Sequence, residues 1–324
     1  MYIVSIAAGE RALPFIENTK SISSKNFLLS YPRGAYTTAR TTSHRQSMFD
    51  LRFHVQRIAD SVKSIWGEES TRFSLPCLHS WQEFTNAKTV QRKLVILTHK
   101  AIQLFESTSA VPLANDEELK VTVLVCPNKT NIDEMTEFLM YAHLSTLPCL
   151  QDSVCVQVRG QPRTNPSAKD SEWVRERQLL EEHMDAGVNE VLLADDDYRI
   201  LEGLSSNFFA VRGRTIYTAG EGMLSGTMRR MVLDICGASS AAIEVILEAP
   251  SYRDAASWDG AFITSTSRYL LPIFCIQFPD DPSMHDVSYE FNRGEQKSVI
   301  DYLRERLYEE VDRNSTPLIV GNDG

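Results

Sequence analysis

Apolar positions recur at two periods along the chain, and the switches between them lay out its elements. Over residues 48–66 the set Leu51, Val55, Ile58, Val62 and Ile65 steps by three and four, which predicts an amphipathic helix. A second helix is expected over 86–107 from Val90, Leu94, Leu97, Ile102 and Leu104, and a third over 131–144 from Ile132, Met135, Phe138 and Leu139. Alternating or β-branched runs predict strands near 2–6, 27–30, 33–41, 119–126 and 154–158. The stretch 67–85, which contains Pro76, reads as a loop. A helix beginning near Ser171 is expected to reach Gly187 as its C-cap, with Trp173, Val174, Leu180 and Met184 facing inward.

The densest pattern lies between 188 and 230. An apolar run from Val191 to Ala194 meets an acidic turn, Asp195 to Asp197, and a second run enters Glu202-Gly203. A polar knot, Ser205-Ser206-Asn207, precedes a third run, Phe208 to Val211, and a turn at Gly213 leads into Thr215-Ile216-Tyr217. Then Leu224-Ser225-Gly226-Thr227 opens a helical pattern carrying Met228, Met231, Val232 and Ile235. A carboxylate thus stands at a strand end and a Gly-Thr pair opens a helix. That combination suits a ligand with one basic ring atom and one phosphate. Further strands are expected at 261–264 and 270–277, a closing helix over 290–308, and disorder after Asn314.

Strands and helices alternate, with several strands in succession, so the fold class is α+β or mixed α/β. Residues 159–168 hold Pro162, Pro166 and Gly160 among polar residues and read as an interdomain linker. That divides the chain into 1–158, the linker, 169–312 and a tail over 313–324. The 324 residues, 43% of them apolar, suffice for one large or two medium domains. The formal charge of −10 and the lack of a basic block argue against nucleic acid. Cys77, Cys126, Cys149, Cys155, Cys236 and Cys275 are scattered without a C-x-x-C, which points to reduced thiols, no metal site and a cytoplasmic setting. No apolar run reaches the roughly 20 residues that span a bilayer, so no membrane partner is expected.

Two segments carry a family resemblance. Glu202-Gly203-Leu204-Ser205-Ser206-Asn207-Phe208-Phe209 and, after a hairpin, Leu224-Ser225-Gly226-Thr227-Met228-Arg229 resemble the paired signature of the fold-type IV pyridoxal-phosphate enzymes. That family includes branched-chain and D-amino-acid aminotransferases and aminodeoxychorismate lyase. The resemblance spans roughly residues 33–308. It implies a smaller N-terminal α/β domain, a larger C-terminal domain of β-barrel-like character, pyridoxal 5′-phosphate between them, and a homodimer.

By the same resemblance Lys169 is the catalytic Schiff-base lysine. It is the sole lysine between Lys129 and Lys297, so the candidate has no competitor there. Glu202 would face the pyridine nitrogen and keep it protonated. Arg57, within His54-Val55-Gln56-Arg57-Ile58, would meet the phosphate with its planar fork, while His54 is expected to be structural. Gly226, Thr227 and Met228 would offer backbone N–H groups to the phosphate, and Thr266 a hydroxyl. Tyr36 would lie at the substrate pocket, and Asn207 would fix a turn. A branched-chain enzyme would carry a tyrosine five residues after the lysine, where this chain has Val174. Arg40, Arg159, Arg163 and Arg268 are possible carboxylate binders.

The leading expectation is an aminotransferase acting on an amino acid and a 2-keto acid. A lyase of the aminodeoxychorismate type keeps the same cofactor, and no residue separates the two. A catalytically dead relative kept as a binding protein is the third reading; the joint presence of Lys169 and Glu202 argues against it.

Overall fold

A computed structural model of the chain describes residues 3–7, 15–17, 22–108, 114, 116–149, 151–238, 242–288 and 298–319. In chain order the elements are β1 (Ile3–Ala7), β2 (Phe15–Glu17), α1 (Ser24–Leu29), β3 (Ala35–Thr42), β4 (Ser47–Phe49), α2 (Leu51–Trp66), α3 (Leu75–Thr85), α4 (Ala87–Thr108), β5 (Leu119–Pro127) and β6 (Phe138–Thr146). They continue as β7 (Val154–Val158), α5 (Glu172–Glu176), α6 (Gln178–Glu182), β8 (Glu190–Ala194), β9 (Ile200–Gly203), β10 (Asn207–Arg212) and β11 (Thr215–Tyr217). The last are α7 (Thr227–Gly237), β12 (Glu244–Ile246), β13 (Gly260–Ser265), β14 (Tyr269–Gln277), β15 (Val287–Ser288), α8 (Val299–Arg313) and β16 (Ser315–Pro317).

Two compact units result. One comprises residues 1–147, 168–176 and 312–324, the other 148–167 and 177–311. They are comparable in length rather than small and large. The run 159–167 belongs to the second unit, and the chain then returns to the first for 168–176.

In the first unit an antiparallel sheet runs β16-β4-β3-β5-β6-β1-β2. The apolar stripes of α2 and α4 bury Ile58, Val62, Leu94 and Leu97 in one core with Val121, Val123 and Phe138 of the sheet. Strand alternation splits β3 between two environments. Ala35 and Ala39 join that core, while Tyr36 joins a second cluster with Phe27, Leu28, Leu124, Cys126 and Val174.

Several local expectations give way here. Residues 27–30 lie largely in helix α1, because the Ser23 hydroxyl accepts the Asn26 N–H at 3.1 Å and caps it. The start of the predicted helix at 48–66 is instead strand β4, with α2 beginning at Leu51. The supposed loop at 67–85 contains α3. Pro76 sits in its first turn, where its missing N–H costs nothing. The helix expected over 131–144 is a single 3-10 turn, Ile132–Glu134, followed by strand β6 from Phe138. Nine register pairs with β5 and five with β1 outweigh a local apolar spacing that fits either structure. The tail is ordered through Ile319: β16 pairs with β4, and Leu318 enters the first core.

The second unit is a mixed sheet that closes on itself. From β10 the pairing passes through β13, β14, β7, β8 and β9, and Asn207↔Glu202 joins β9 back to β10. The β14–β7 and β7–β8 pairs are parallel and the others in this ring antiparallel. Val156, Leu192, Phe208, Ala261, Ile263 and Ile273 fill a core of this unit. The helix expected over 171–187 is two short pieces, α5 and α6, and Gly187 lies beyond them in a turn at φ +87°. The closing helix α8 starts at Val299; the residues 289–297 of that expectation lie outside the described residues. Among the described residues no helix is long and apolar enough to cross a membrane.

The ordered tail makes a checkable demand. Leu318→Ala should destabilise the protein by about 2–3 kcal/mol, as for a buried leucine with partial relaxation. Urea unfolding of the two proteins measures this, and an unchanged midpoint would put residue 318 in solvent.

Candidate active site

Lys169 is held by its backbone before its side chain is considered. Its N–H donates to the Ser61 hydroxyl of α2 at 3.0 Å, and its carbonyl accepts the Tyr36 N–H of β3 at 2.9 Å. The next residues continue the attachment. Asp170 bridges Ala35, the Ser171 N–H reaches the Gly34 carbonyl at 2.8 Å, and the Ser171 hydroxyl accepts the Gly34 N–H at 2.9 Å. Arg33 adds two bonds to Asp170 Oδ2, at 2.8 and 2.6 Å, while Oδ1 accepts the Glu172 N–H at 2.9 Å and starts α5. Residues 169–171 are thus a short extra strip on β3. Gly34 is required there, since a Cβ would lie 2.6 Å from the Val125 carbonyl oxygen. The half-buried Lys169 side chain turns its Nζ over the Tyr36 ring, 4.8 Å from the centroid.

The same unit carries Arg57 on α2, one turn before Ser61 and so on the same helix face. Its guanidinium lies over the Phe53 ring, 4.4 Å from the centroid, and the residue is half-buried. His54 is fully buried and its Nδ1 meets the Thr37 hydroxyl at 2.8 Å, tying α2 to β3 in the structural role expected of it.

In the second unit Glu202 sits at the seam where β9 meets β10 and is 3% exposed. Arg163 grips both its oxygens, Nε to Oε1 at 2.7 Å and Nη2 to Oε2 at 2.9 Å. The Leu224 N–H adds a bond to Oε2 at 3.1 Å, which ties the carboxylate to the loop entering α7. Asn207, opposite Glu202, donates to the Leu224 carbonyl at 2.7 Å and fixes that loop as expected. Gly226 must be glycine, because a Cβ would come within 2.0 Å of the Asn207 amide oxygen.

Helix α7 then begins without a side-chain cap. Its first turn is Thr227, Met228 and Arg229, all buried, and the first intrahelical bond is Arg230 N–H to the Gly226 carbonyl at 3.0 Å. Three backbone N–H groups therefore precede the intrahelical ladder. The Thr227 hydroxyl is buried without a hydrogen-bond partner, and so is that of Thr264, the cross-strand neighbour of Asn207. Thr266 stands half-buried in the following turn. Arg229 donates to the Ala219 carbonyl at 2.6 Å, and burial lowers its pKa from the ordinary arginine value.

Three arginines considered for a substrate carboxylate each face an acidic side chain of the second unit. Arg163 serves Glu202, and Arg159 lies 3.5 Å from Asp280. Arg268 joins buried Glu190 and also reaches the Ser205 and Ser265 hydroxyls at 3.1 and 3.3 Å. Ser61 and Thr264 were not singled out in the sequence. Ser61 had a signal: it interrupts the inward stripe of α2 between Ile58 and Ile65 with a polar group. Thr264 had none beyond its place before the hydroxyl-rich turn.

The architecture defines a class: an antiparallel sheet-and-helix unit joined in sequence to a closed mixed sheet with a paired carboxylate at its seam. Residues 34–275 match the family described as amino-transferase class IV, and the chain belongs to that family. It is 29% identical over 126 residues to a putative branched-chain-amino-acid aminotransferase of Methanocaldococcus jannaschii, covering 38% of this chain and 43% of that relative. Two solved structures share the fold nearly end to end. The branched-chain aminotransferase of Thermoproteus uzoniensis with norvaline has a TM-score of 0.70 at 16% identity, over 98% of this chain and 100% of that one. An aminotransferase from Brucella abortus bound to pyridoxal phosphate has a TM-score of 0.64 at 15% identity, over 96% and 100%.

The Arg163–Glu202 pair yields a prediction. Arg163→Leu should destabilise the protein by about 3–5 kcal/mol, because it strands a buried carboxylate. Arg163→Lys should recover only part of this, since an ammonium cannot fork to both oxygens. Denaturant unfolding reads both, and a wild-type midpoint for the leucine variant would mean that Glu202 is solvated.

Proposed function

We propose that the protein is a transaminase that uses pyridoxal 5′-phosphate to move an amino group between an amino acid and a 2-keto acid. The observation that carries the reading is the Glu202 carboxylate, buried, clamped by Arg163 and tied through Leu224 to an uncapped helix start. A carboxylate fixed in this way suits a protonated ring nitrogen. Free N–H groups beside the partnerless Thr227 hydroxyl suit a phosphate. The cofactor fits these groups, and when bound it supplies an electron sink for the pair left at Cα.

Each residue then has a task of its own. Glu202 holds the ring proton, and Arg163 holds Glu202 at its angle. Gly226, Thr227 and Met228 would donate backbone N–H groups to the phosphate, and Thr266 would add a hydroxyl. Arg57, on the first unit, would offer a permanent positive charge to a phosphate. Lys169 would hold the cofactor through its amine and, as a free amine, would take up and return the proton at the substrate's Cα. Tyr36 borders the substrate. The substrate side chain stays general: Val174 is fully buried among apolar groups where a branched-chain enzyme is expected to carry tyrosine. A homodimer and a reducing, cytoplasmic setting complete the proposal, the latter supported by six free thiols.

Purified protein incubated with pyridoxal 5′-phosphate should develop a visible or near-ultraviolet band that borohydride removes. Single L- and D-amino acids should shift that band, and turnover should require a keto acid. Pyruvate released from aminodeoxychorismate without a keto acid would replace transamination by a lyase. Protein that never takes up the cofactor would remove both.

Lys169→Ala should abolish the band and turnover. Glu202→Ala should keep part of the cofactor and lose most activity; an unchanged rate would take Glu202 out of the mechanism. Arg57→Ala should weaken cofactor affinity by about 1.5–3 kcal/mol, the worth of one charge-assisted bond. An unaltered dissociation constant would return Arg57 to the surface.

A further inference from the structure

Tyr36 is 5% exposed, and its ring belongs to an apolar cluster with Phe27, Leu28, Leu124, Cys126 and Val174. The Lys169 nitrogen stands over that ring, 4.8 Å from its centroid, inside the range at which an aromatic face attracts a cation. The contact is built by the backbone. Tyr36 donates its N–H to the Lys169 carbonyl, so the two residues that meet through their side chains are also joined through their main chains. The Tyr36 hydroxyl has no hydrogen-bond partner among the described residues, so it is the ring that makes the interaction.

Neighbouring charges have tasks of their own. The carboxylate beside the lysine, Asp170, is occupied by Arg33 and the Glu172 N–H, and Glu172 faces Arg175 at 3.4 Å. On α2, Arg57 lies over Phe53 and His54 bonds to Thr37. Burial pushes the Cys126 thiol well above its ordinary value. Arg40 and its cross-strand partner Lys120 stand four residues along the sheet from Tyr36 and Leu124, about 13 Å away at strand spacing.

We propose that Tyr36 is a positioning residue for the Lys169 amine, its π face holding the cationic form of that nitrogen in place, both as free ammonium and as the protonated linkage to a pyridoxal carbonyl. The inference rests on the reading of Lys169 as the attachment point. It assigns the ring a task toward the enzyme's own lysine, separate from lining a substrate pocket. A cation over a desolvated ring is favoured over the neutral amine, so the ring sets how much of the linkage is protonated at a given pH. It also narrows the rotamers of a long side chain.

The test is a pH titration of the visible band in protein loaded with pyridoxal 5′-phosphate, with no substrate present. Tyr36→Phe keeps the π face, and its midpoint should match the wild type. Tyr36→Leu removes the face, and its midpoint should fall by about 0.5–1 pH unit, the equivalent of about 0.7–1.4 kcal/mol. A leucine variant that titrates like the wild type overturns the proposal while leaving the attachment reading intact. Should that variant not fold, phenylalanines of increasing fluorine content at position 36 keep the shape and weaken the face. The midpoint should then fall step by step, and a flat series overturns the proposal. A wild-type protein that shows no band and no borohydride-fixed cofactor on Lys169 sinks the attachment reading and this inference together.

Discussion

The backbone of Lys169 is fixed on both sides of one residue, by α2 on one side and β3 on the other. Its N–H is taken by a helix hydroxyl and its carbonyl by a strand N–H. A lysine side chain has four rotatable bonds and carries about 2 kcal/mol of rotamer entropy. The reactivity proposed for its end therefore needs an anchored start. The anchor comes from two elements that have their own reasons to be rigid. β3 is an interior strand between β4 and β5, and α2 is held by an apolar stripe across four turns. One helix face carries both Ser61 and Arg57, four residues apart, so the clamp on the lysine and a candidate phosphate charge share one rigid support.

The second unit solves a different problem, that of burying a carboxylate. Taking Glu202 out of water is offset by a bidentate guanidinium and one backbone N–H, three bonds spread over two oxygens. Its position follows from the sheet. Glu202 and Asn207 are register partners at the point where β9 meets β10, so closing the ring of strands brings them opposite each other. Asn207 then reaches the Leu224 carbonyl while Glu202 takes the Leu224 N–H. One residue, Leu224, is thus held by both motif side chains, and α7 starts three residues later with its N-terminus uncapped.

What the sequence disclosed divides along the same physical lines. Elements with a strong single period were readable: α2, α4, β5, and the run from β8 through α7. Those decided by distant partners were not. The spacing of Met135, Phe138 and Leu139 at the entry to β6 fits a helix equally well, and only pairing with β5 and β1 selects the strand. β16 holds a proline and polar residues, and nothing local marks it as ordered; it depends on β4, whose partners Ser47 to Phe49 lie at the far end of the chain, a pairing no window can contain. Helix α3 was hidden by Pro76, which reads as a breaker unless its place in the first turn is known. At the site, the paired motifs drew attention to Glu202, Asn207 and Gly226 through the family resemblance alone, since what these residues touch lies 17 or more positions away. Arg163 was visible as a charge but not as the partner of Glu202, 39 positions away.

The placement of charge also constrains how a substrate is read. Arg163, Arg159 and Arg268 each face a carboxylate of the second unit, Glu202, Asp280 and Glu190 respectively. Arg268 is the instructive case. It follows the hydroxyl-rich turn, where a free guanidinium would invite an acidic ligand, yet Glu190 is buried beneath it and Ser205 and Ser206 both donate to that same carboxylate. Freeing Arg268 would leave Glu190 with two neutral donors in a site that is 4% exposed, a cost of several kcal/mol for a buried charge. A ligand carboxylate competing for Arg268 must exceed that cost before it gains anything. The groups proposed to hold the cofactor's phosphate on the second unit, the backbone N–H groups opening α7 and the hydroxyls of Thr227 and Thr266, carry no net charge and so would discriminate by geometry.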